Sequence, residues 1–476
     1  MYSRIHEFKK EELDRIHKAS MDLLATTGVN FNEPEALEIF KEAGATVEGK
    51  NVRLTEEMVK KALSTAPESF TIHSRNPEHD VKVGLNDYVY APGYGAPFVT
   101  EIDGTQREAT MEDYDKFCKL VHTSKYIDMN GFMMVEPSDV DSASVHLDLL
   151  RSSILLSDKA FMGSPLSREA AVDALEMAGI AWGGKENIRN HPVTISLINS
   201  LSPLQFSDEM AGSLIEFARY GQPCVIAALA MAGSSGPVTV AGLLTMQNAE
   251  ILAGITLAQL VNPGTPIVYG CTSSAMDMRS GALAIGAPEL SLFVSATAQL
   301  AHYYNLPSRS GGGLTDSLLP DAQAGMESAL ALSTAVNSGI NFILHSAGIL
   351  GSYISMSFEK FMIDEELCGM VRKLVKPVDV SDEAIDLAMI KKVGIGGQYL
   401  TEPKTFKLCR TEFFLPGISN RSNFESWQAA GSLSIDKKAA KAVEDRVAKY
   451  VQPEIDPNVA EALNAYVAKR KSEIAG

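Results

Sequence analysis

Between Ser308 and Phe361 the chain reads SRSGGGLTDSLLPDAQ, then an apolar helical run, then NFILHSAGILGSYISMSFEKF. Arg309, Asp316, Asp321, His345, Tyr353 and Phe358 fall near the ends of two expected strands, with Tyr94, Phe98 and Phe206 as further candidates for the same mouth. Aromatic rings attract a permanent cation through their quadrupole and need no donor from it, with roughly 2 kcal/mol available per desolvated contact. The charge balance agrees. With 42 basic and 59 acidic residues the net charge is −17, which draws cations in and repels nucleic-acid phosphates and anionic lipid. Gly311, Gly312 and Gly313 lack a Cβ and would let a large flat partner approach the backbone.

Each candidate has a plainer reading. His345 is either a site residue or a core imidazole satisfied by a neighbouring strand. Asp321 either enters the site or caps the helix AQAGMESALALSTAV. Arg309 points into the mouth or onto a buried carboxylate. Any single aromatic is more often core than cage, although Tyr94 sits in the Gly/Pro loop GYGAPF, where a core role is less natural. Other chemistries lack their residues. No lysine stands at a strand end for a Schiff base, and the chain has no HExxH, GxSxG, GxGxxG or GxxxxGK[ST]. Five dispersed cysteines without a CxxC pair read as buried free thiols, so neither a disulfide framework nor a bound metal is expected.

The elements that must hold these residues recur with a regular period. Strand-like runs begin at Asp128, Lys159, Val193, Pro223, Pro266, Leu306 and Asn341, spaced by 31, 34, 30, 43, 40 and 35 residues, each followed by a longer helical pattern. Seven βα units without a phosphate-loop signature predict an α/β fold, a (β/α)8 TIM barrel, whose eighth strand is either YVYAPGYGAPF or KTFKLCRTEFF. Three helical patterns, KEELDRIHKASMDLLATTG, EPEALEIFKEAG and TEEMVKKALSTAP, and short strands make an N-terminal layer over residues 1–87. Residues 88–378 form the barrel core. Residues 379–476 form a C-terminal helical extension that completes the barrel around 398–416 if KTFKLCRTEFF is the eighth strand, and that caps the barrel or builds an oligomer interface. Met1 to Glu12 is polar and helical in pattern, and no run of about 20 apolar residues is uninterrupted, so a cytoplasmic protein without a membrane span is expected.

Chemistry in parallel barrels collects at the carboxyl ends of the strands. Those ends carry Glu136, Ser164, Asn199, Ser202, Met231, Thr272, Ser273, Arg309, Ser310, Gly311 to Gly313, Asp316 and His345.

The segments YAPGYGAPFVTEIDG, GGGLTDSLLPDAQAGMESAL, NFILHSAGIL and FKLCRTEFFLPGISNR resemble the trimethylamine methyltransferase family, and the similarity runs through most of the chain. The resemblance implies a (β/α)8 barrel that moves a methyl group from an amine to the cobalt of a separate corrinoid protein, the chain itself holding no cofactor. Because the sequence contains only standard residues, it resembles the branch without pyrrolysine, which implies a quaternary amine such as glycine betaine or proline betaine as substrate. Within that frame, strand-end placement gives Tyr94, Phe206, Tyr353 and Phe358 around the ammonium and Arg309 on a substrate carboxylate. Asn199, Asp316 and His345 fall near the transfer face, with Gly311 to Gly313 facing the corrinoid. Two other readings stay open: another methylated amine or a sulfonium as donor, or a quaternary ammonium binding protein without catalysis. A homo-oligomer is expected by the same resemblance.

Overall fold

Seven short strands pair in parallel in one sheet, in the order Val89–Tyr90, Phe342–Leu344, Ser308–Gly311, Ile267–Cys271, Cys224–Ala228, Thr194–Asn199 and Phe161–Met162. They belong to a computed structural model that describes residue 5 and residues 7–476. The ring is closed by an extended segment, residues 128–130. Asp128 N donates to Tyr90 O at 2.9 Å on one side, and Asn130 N donates to Ala160 O at 2.8 Å on the other. Eight staves therefore follow one another in chain order around the ring, as the βα spacing predicts.

The first of the two candidates for the eighth strand supplies a stave and the second does not. Val89–Tyr90 pairs with Phe342 and Ile343, whereas KTFKLCRTEFF contains the short helix Pro403–Leu408, with Pro403 in its first turn. The barrel is not completed around 398–416, because hydrogen bonding to the 128–130 segment leaves no gap in the ring.

Register decides which side chains enter the barrel. Asn199 pairs with Ala227, Ala227 with Gly270, and Gly270 with Arg309, so these four form one row across adjacent strands. Tyr269 and Cys271 point outward, meeting Asn248 at 2.9 Å and Gln247 at 3.3 Å on the helix Val240–Val261. Gly270 and Thr272, and with Gly270 the whole row, therefore face inward. A Cβ on Gly270 would lie 2.8 Å from Ala227 Cβ and 3.0 Å from Val225 Cγ1. Small residues at 227 and 270 leave interior room for the long side chain of Arg309.

The helix Val240–Val261 is long and apolar enough to span a membrane by composition, yet it is mostly buried. It lies between the barrel and the N-terminal helices Lys10–Thr26 and Glu56–Thr65, which explains its apolar character on nearly all sides. Of the expected helical stretch from Met1 to Glu12, residues 1–4 and 6 lie outside the described residues. Four of the five thiols are buried, and Cys409 is exposed. At the other end of the chain, helix Ile435–Ala448 packs on Phe358–Leu374. Helix Pro457–Ala475 is held by Asp173, which accepts from Tyr466 Oη at 2.6 Å, Arg470 Nε at 2.7 Å and, where that nitrogen carries the proton, His146 Nε2 at 2.9 Å.

Candidate active site

Arg309 forms the floor of the barrel mouth. Its guanidinium is fully buried, with Nη1 donating to Thr272 Oγ1 at 3.2 Å and Nη2 lying 3.5 Å from His345 Nδ1. Among the described residues no carboxylate is paired with it, and its Nε has no hydrogen-bond partner. Of the two sequence-level readings for Arg309, the one that points it into the mouth is the one the structure adopts. Burial lowers its pKa to about 10, which leaves the side chain charged at neutral pH. A buried cation without a counter-ion is costly, so the arrangement can accept an anion from outside the chain.

Around this floor stand His345, Tyr94 and Tyr353. The His345 ring lies 4.8 Å from that of Tyr353 and 6.5 Å from that of Tyr94, the latter edge-on. Burial, and then the adjacent Arg309 charge, push the His345 pKa well below the ordinary imidazole value, so the ring is neutral and Nδ1 is free to accept. Burial pushes both phenols up. They are protonated, partly exposed toward the mouth, and Tyr353 Oη has no partner among the described residues. Phe132 extends the aromatic wall, 6.4 Å from Tyr94.

The mouth is held in a demanding backbone conformation. His345, Ser352 and Tyr353 have φ of 57°, 54° and 76°, the left-handed region that costs a side-chain-bearing residue about 1–3 kcal/mol. Asp316 is one of the groups that hold it. Its carboxylate accepts from Ile285 N and Gly286 N, both at 2.9 Å, and from Ser352 Oγ at 2.6 Å. Asp316 thus ties the loop after Ile267–Cys271 to the residue preceding Tyr353. It is a positioning residue, not one aimed at a reacting atom, because three donors already use its oxygens. Asp321 caps its helix, accepting from Ala324 N at 3.0 Å.

Three other expectations are corrected. Phe206 is not at the mouth. It lies in the strand Gln205–Phe206, which pairs in parallel with Val29–Phe31, and its ring stacks on Phe31 at 5.0 Å. Phe358 begins the helix Phe358–Leu374 and turns outward, stacking on Phe117 at 4.3 Å beneath the Lys116 ammonium. Gly311, Gly312 and Gly313 are buried and present no open face. A Cβ on them would meet Leu314, Ile343 and the Ser346 carbonyl respectively, each within 2.7 Å. Their small size serves packing of the chain on itself. Asn199 remains on the inward row with Arg309. Phe132 was not singled out, and Thr272 was named only among the strand ends, without a role. The signal for Thr272 is alternation, since it lies two residues beyond the inward-facing Gly270.

Buried lysines exist but lie elsewhere. Lys360 Nζ bonds the Asp364 carboxylate at 2.5 Å and Ser328 Oγ at 2.8 Å. Lys159 Nζ donates to three backbone carbonyls below the stave of residues 128–130. The rim of the mouth carries exposed apolar side chains among polar ones such as Ser234 and Arg279. Leu201, Leu229, Val238, Met278, Leu318 and Ile354, from loops that follow five different staves, are exposed there. Such a collar fits a broad, flat, largely apolar group.

The sequence profile of trimethylamine methyltransferase (MTTB) matches residues 1–475. The glycine betaine methyltransferase of Desulfitobacterium hafniense (strain Y51) is 46% identical over 465 residues, 98% of this chain and 97% of that protein. The proline betaine:corrinoid methyltransferase of Eubacterium limosum is 36% identical over 467 residues, 96% of each. The trimethylamine methyltransferase MttB of Desulfitobacterium hafniense (strain DSM 10664 / DCB-2) is 30% identical over 474 residues, 98% of this chain and 94% of that one. Among solved structures, the Methanosarcina barkeri monomethylamine methyltransferase (MtmB) superimposes with a TM-score of 0.52 at 12% identity, covering 94% of this chain and 90% of that one. That likeness concerns the fold alone.

Proposed function

This chain belongs to the trimethylamine methyltransferase family, and on that premise we propose that it moves a methyl group from a betaine-type quaternary amine to a corrinoid carried by a separate protein. The observation that carries the reading is Arg309, a buried guanidinium with no carboxylate partner among the described residues. A betaine brings the missing carboxylate and places its ammonium a short distance above it, level with the aromatic rings.

The remaining residues suit that substrate. Tyr94 and Tyr353 supply aromatic rings near the His345 and Arg309 floor for the cation, and His345 adds a neutral ring that does not repel it. A fully alkylated nitrogen already bears its positive charge, so it departs as a neutral tertiary amine. The protein therefore has no proton to supply, and its work is orientation and exclusion of water. Co(I) of the corrinoid supplies the nucleophile when the partner protein is docked. The apolar rim side chains Leu201, Val238, Met278, Leu318 and Ile354 fit the approach of such a macrocycle. Because positive charge leaves nitrogen as the methyl moves, a cage without a carboxylate against the ammonium avoids overstabilising the ground state.

The test is to mix the protein with a reduced corrinoid protein and a panel of methylated compounds and follow conversion of Co(I) to methyl-Co(III). Glycine betaine and proline betaine are expected to react, whereas choline and trimethylamine, which lack a carboxylate, are expected to be poor. Equal rates with choline would remove the role given to Arg309, and silence across the panel would end the proposal.

A further inference from the structure

Lys360, Asp364 and Cys368 follow one another at i, i+4 and i+8 along the helix Phe358–Leu374, so they form one stripe, and all three are fully buried. The stripe faces two loops. One follows the stave Ser308–Gly311, which carries Arg309, and the other follows the stave Phe342–Leu344 and begins with His345. Lys360 Nζ donates to Gly313 O at 3.4 Å in the first loop and to Ser328 Oγ at 2.8 Å on the helix Ala322–Ser338. In the second loop, Gly348 N donates to Asp364 Oδ2 at 2.9 Å, and Ser346 O accepts from Cys368 Sγ at 3.6 Å. Lys360 Nζ and the Asp364 carboxylate meet at 2.5 Å and join the two sets of contacts. The loops are also bonded to each other, with Gly313 N donating to His345 O at 2.7 Å.

A buried ion pair contributes little net stability, because desolvating both charges offsets their attraction. Its geometry is more informative. The backbone it grips is not regular strand, since φ is 57° at His345 and 98° at Gly348, and buried amides and carbonyls in such a turn need partners from outside the ladder. The fit is close. A Cβ on Gly313 would lie 2.7 Å from Ser346 O and 3.1 Å from Asp364 Cγ. Burial raises the Asp364 pKa to about 6, so its carboxylate is ionised at neutral pH and accepts strongly from Gly348 N.

We propose that Lys360 and Asp364 are positioning residues for methyl transfer: the pair locks the ends of two adjacent staves and thereby fixes the His345 ring against Arg309. Both act through backbone, by way of Gly313 and Gly348, and neither is assigned a contact with substrate. The relationship they set is the 3.5 Å between Arg309 Nη2 and His345 Nδ1. Its kinetic consequence rests on the betaine reading above, whereas the placement of His345 is a property of the ligand-free protein.

The test compares the wild-type full chain with a variant carrying Lys360→Met together with Asp364→Leu. Histidine isotope-labelled at Cε1 reports each ring by NMR without substrate or corrinoid, and the His345 signal is identified by its absence from His345→Asn. Urea melts establish that each variant is measured folded. In the double variant the His345 signal is expected to be displaced while those of distant rings such as His17 and His73 stay in place. Turnover of glycine betaine with a reduced corrinoid protein is expected to fall roughly tenfold or more in kcat/KM. Lys360→Met alone, in which Asp364 can take up a proton and become neutral, carries the same readouts with the same expectations should the double variant not fold. An unmoved His345 signal overturns the proposal, whether or not the urea midpoint falls, and so does undiminished turnover. A wild type that reacts with no betaine ends the functional reading alone, and the His345 signal then decides the positioning by itself.

Discussion

Arg309 Nη2 lies 3.5 Å from His345 Nδ1, and the guanidinium has no carboxylate on any side among the described residues. The contact pairs a fixed cation with a neutral ring, so the positive charge stays available to a ligand. Replacing Arg309 by Met should therefore act in two opposed directions. The ligand-free protein gains thermal stability, because an uncompensated buried charge is removed. Betaine affinity falls by roughly 100-fold, the loss of a charge-assisted hydrogen-bond pair worth about 3 kcal/mol. Thermal melts with and without glycine betaine, together with calorimetric titration, read both effects. A variant that is less stable and still binds betaine would mean that the guanidinium has another partner.

His345 gives a pH dependence with a definite sign. Its pKa in the folded protein lies well below the ordinary imidazole value of about 6.5. As pH falls below that value the unfolded chain takes up the proton first, so this group costs stability at roughly 1.4 kcal/mol per pH unit and contributes nothing above it. Asn tolerates the left-handed backbone at this position and does not titrate. Urea midpoints between about pH 5 and 7.5 should show a shallower acid decline for His345→Asn than for wild type. Burial also lowers His122 and His191, so the difference between the two slopes, not the wild-type slope, is the test.

Much of the barrel and part of the site were legible because they rest on local rules. The spacing from Asp128 to Asn341 follows from the length of a strand, a helix and two loops, and Arg309, His345, Tyr94 and Tyr353 follow from placement near the mouth. Phe206 was not legible. Its partner is Phe31, in a small sheet that joins the N-terminal layer, and nothing near residue 206 signals that pairing. Gly311 to Gly313 misled for a different reason, since a glycine required by a ligand and one required by Ile343 or Ser346 look alike in one sequence. Asp316 has the residue type of a catalytic group, but its donors, Ile285, Gly286 and Ser352, arrive from two other loops. The eighth stave was ambiguous because only Val89 and Tyr90 of YVYAPGYGAPF pair with the barrel sheet, while Phe98 belongs to another, pairing with Ser355 and Glu108.

Asp316 should reveal itself through Tyr353. An Asn at 316 keeps one acceptor oxygen but cannot serve both loop amides and Ser352 Oγ, so the left-handed turn at Ser352 and Tyr353 loosens. Asp316→Asn is expected to lower stability by about 1–3 kcal/mol and to raise KM for betaine roughly tenfold, while Ser352→Ala gives a smaller shift in the same direction. The discriminating readout is Tyr353→Phe in the Asp316→Asn background. If Asp316 acts by positioning that ring, the double variant is hardly worse than Asp316→Asn alone. Full additivity in steady-state kinetics would show that the two act separately.

Lys159 presents the opposite case, a buried amine with every mark of reactivity and a structural explanation for each. Burial draws its pKa down to about 8, a value that would suit a Schiff base. Yet its Nζ donates to Val121 O at 2.9 Å, Ser124 O at 2.7 Å and Ile127 O at 2.6 Å, closing the end of the helix Met111–His122 and the turn that leads into the stave of residues 128–130. Those carbonyls lie at the entry of that stave, three staves along the ring from the one that carries Arg309. Lys159→Met would remove a donor from three buried carbonyls, of which Val121 O keeps Ser124 N at 3.1 Å, at a cost of about 3 kcal/mol. The expected result is a clear fall in the urea midpoint, with kcat and KM of the folded fraction unchanged at low temperature. Lost turnover in a variant that melts like wild type would instead place the amine in the chemistry.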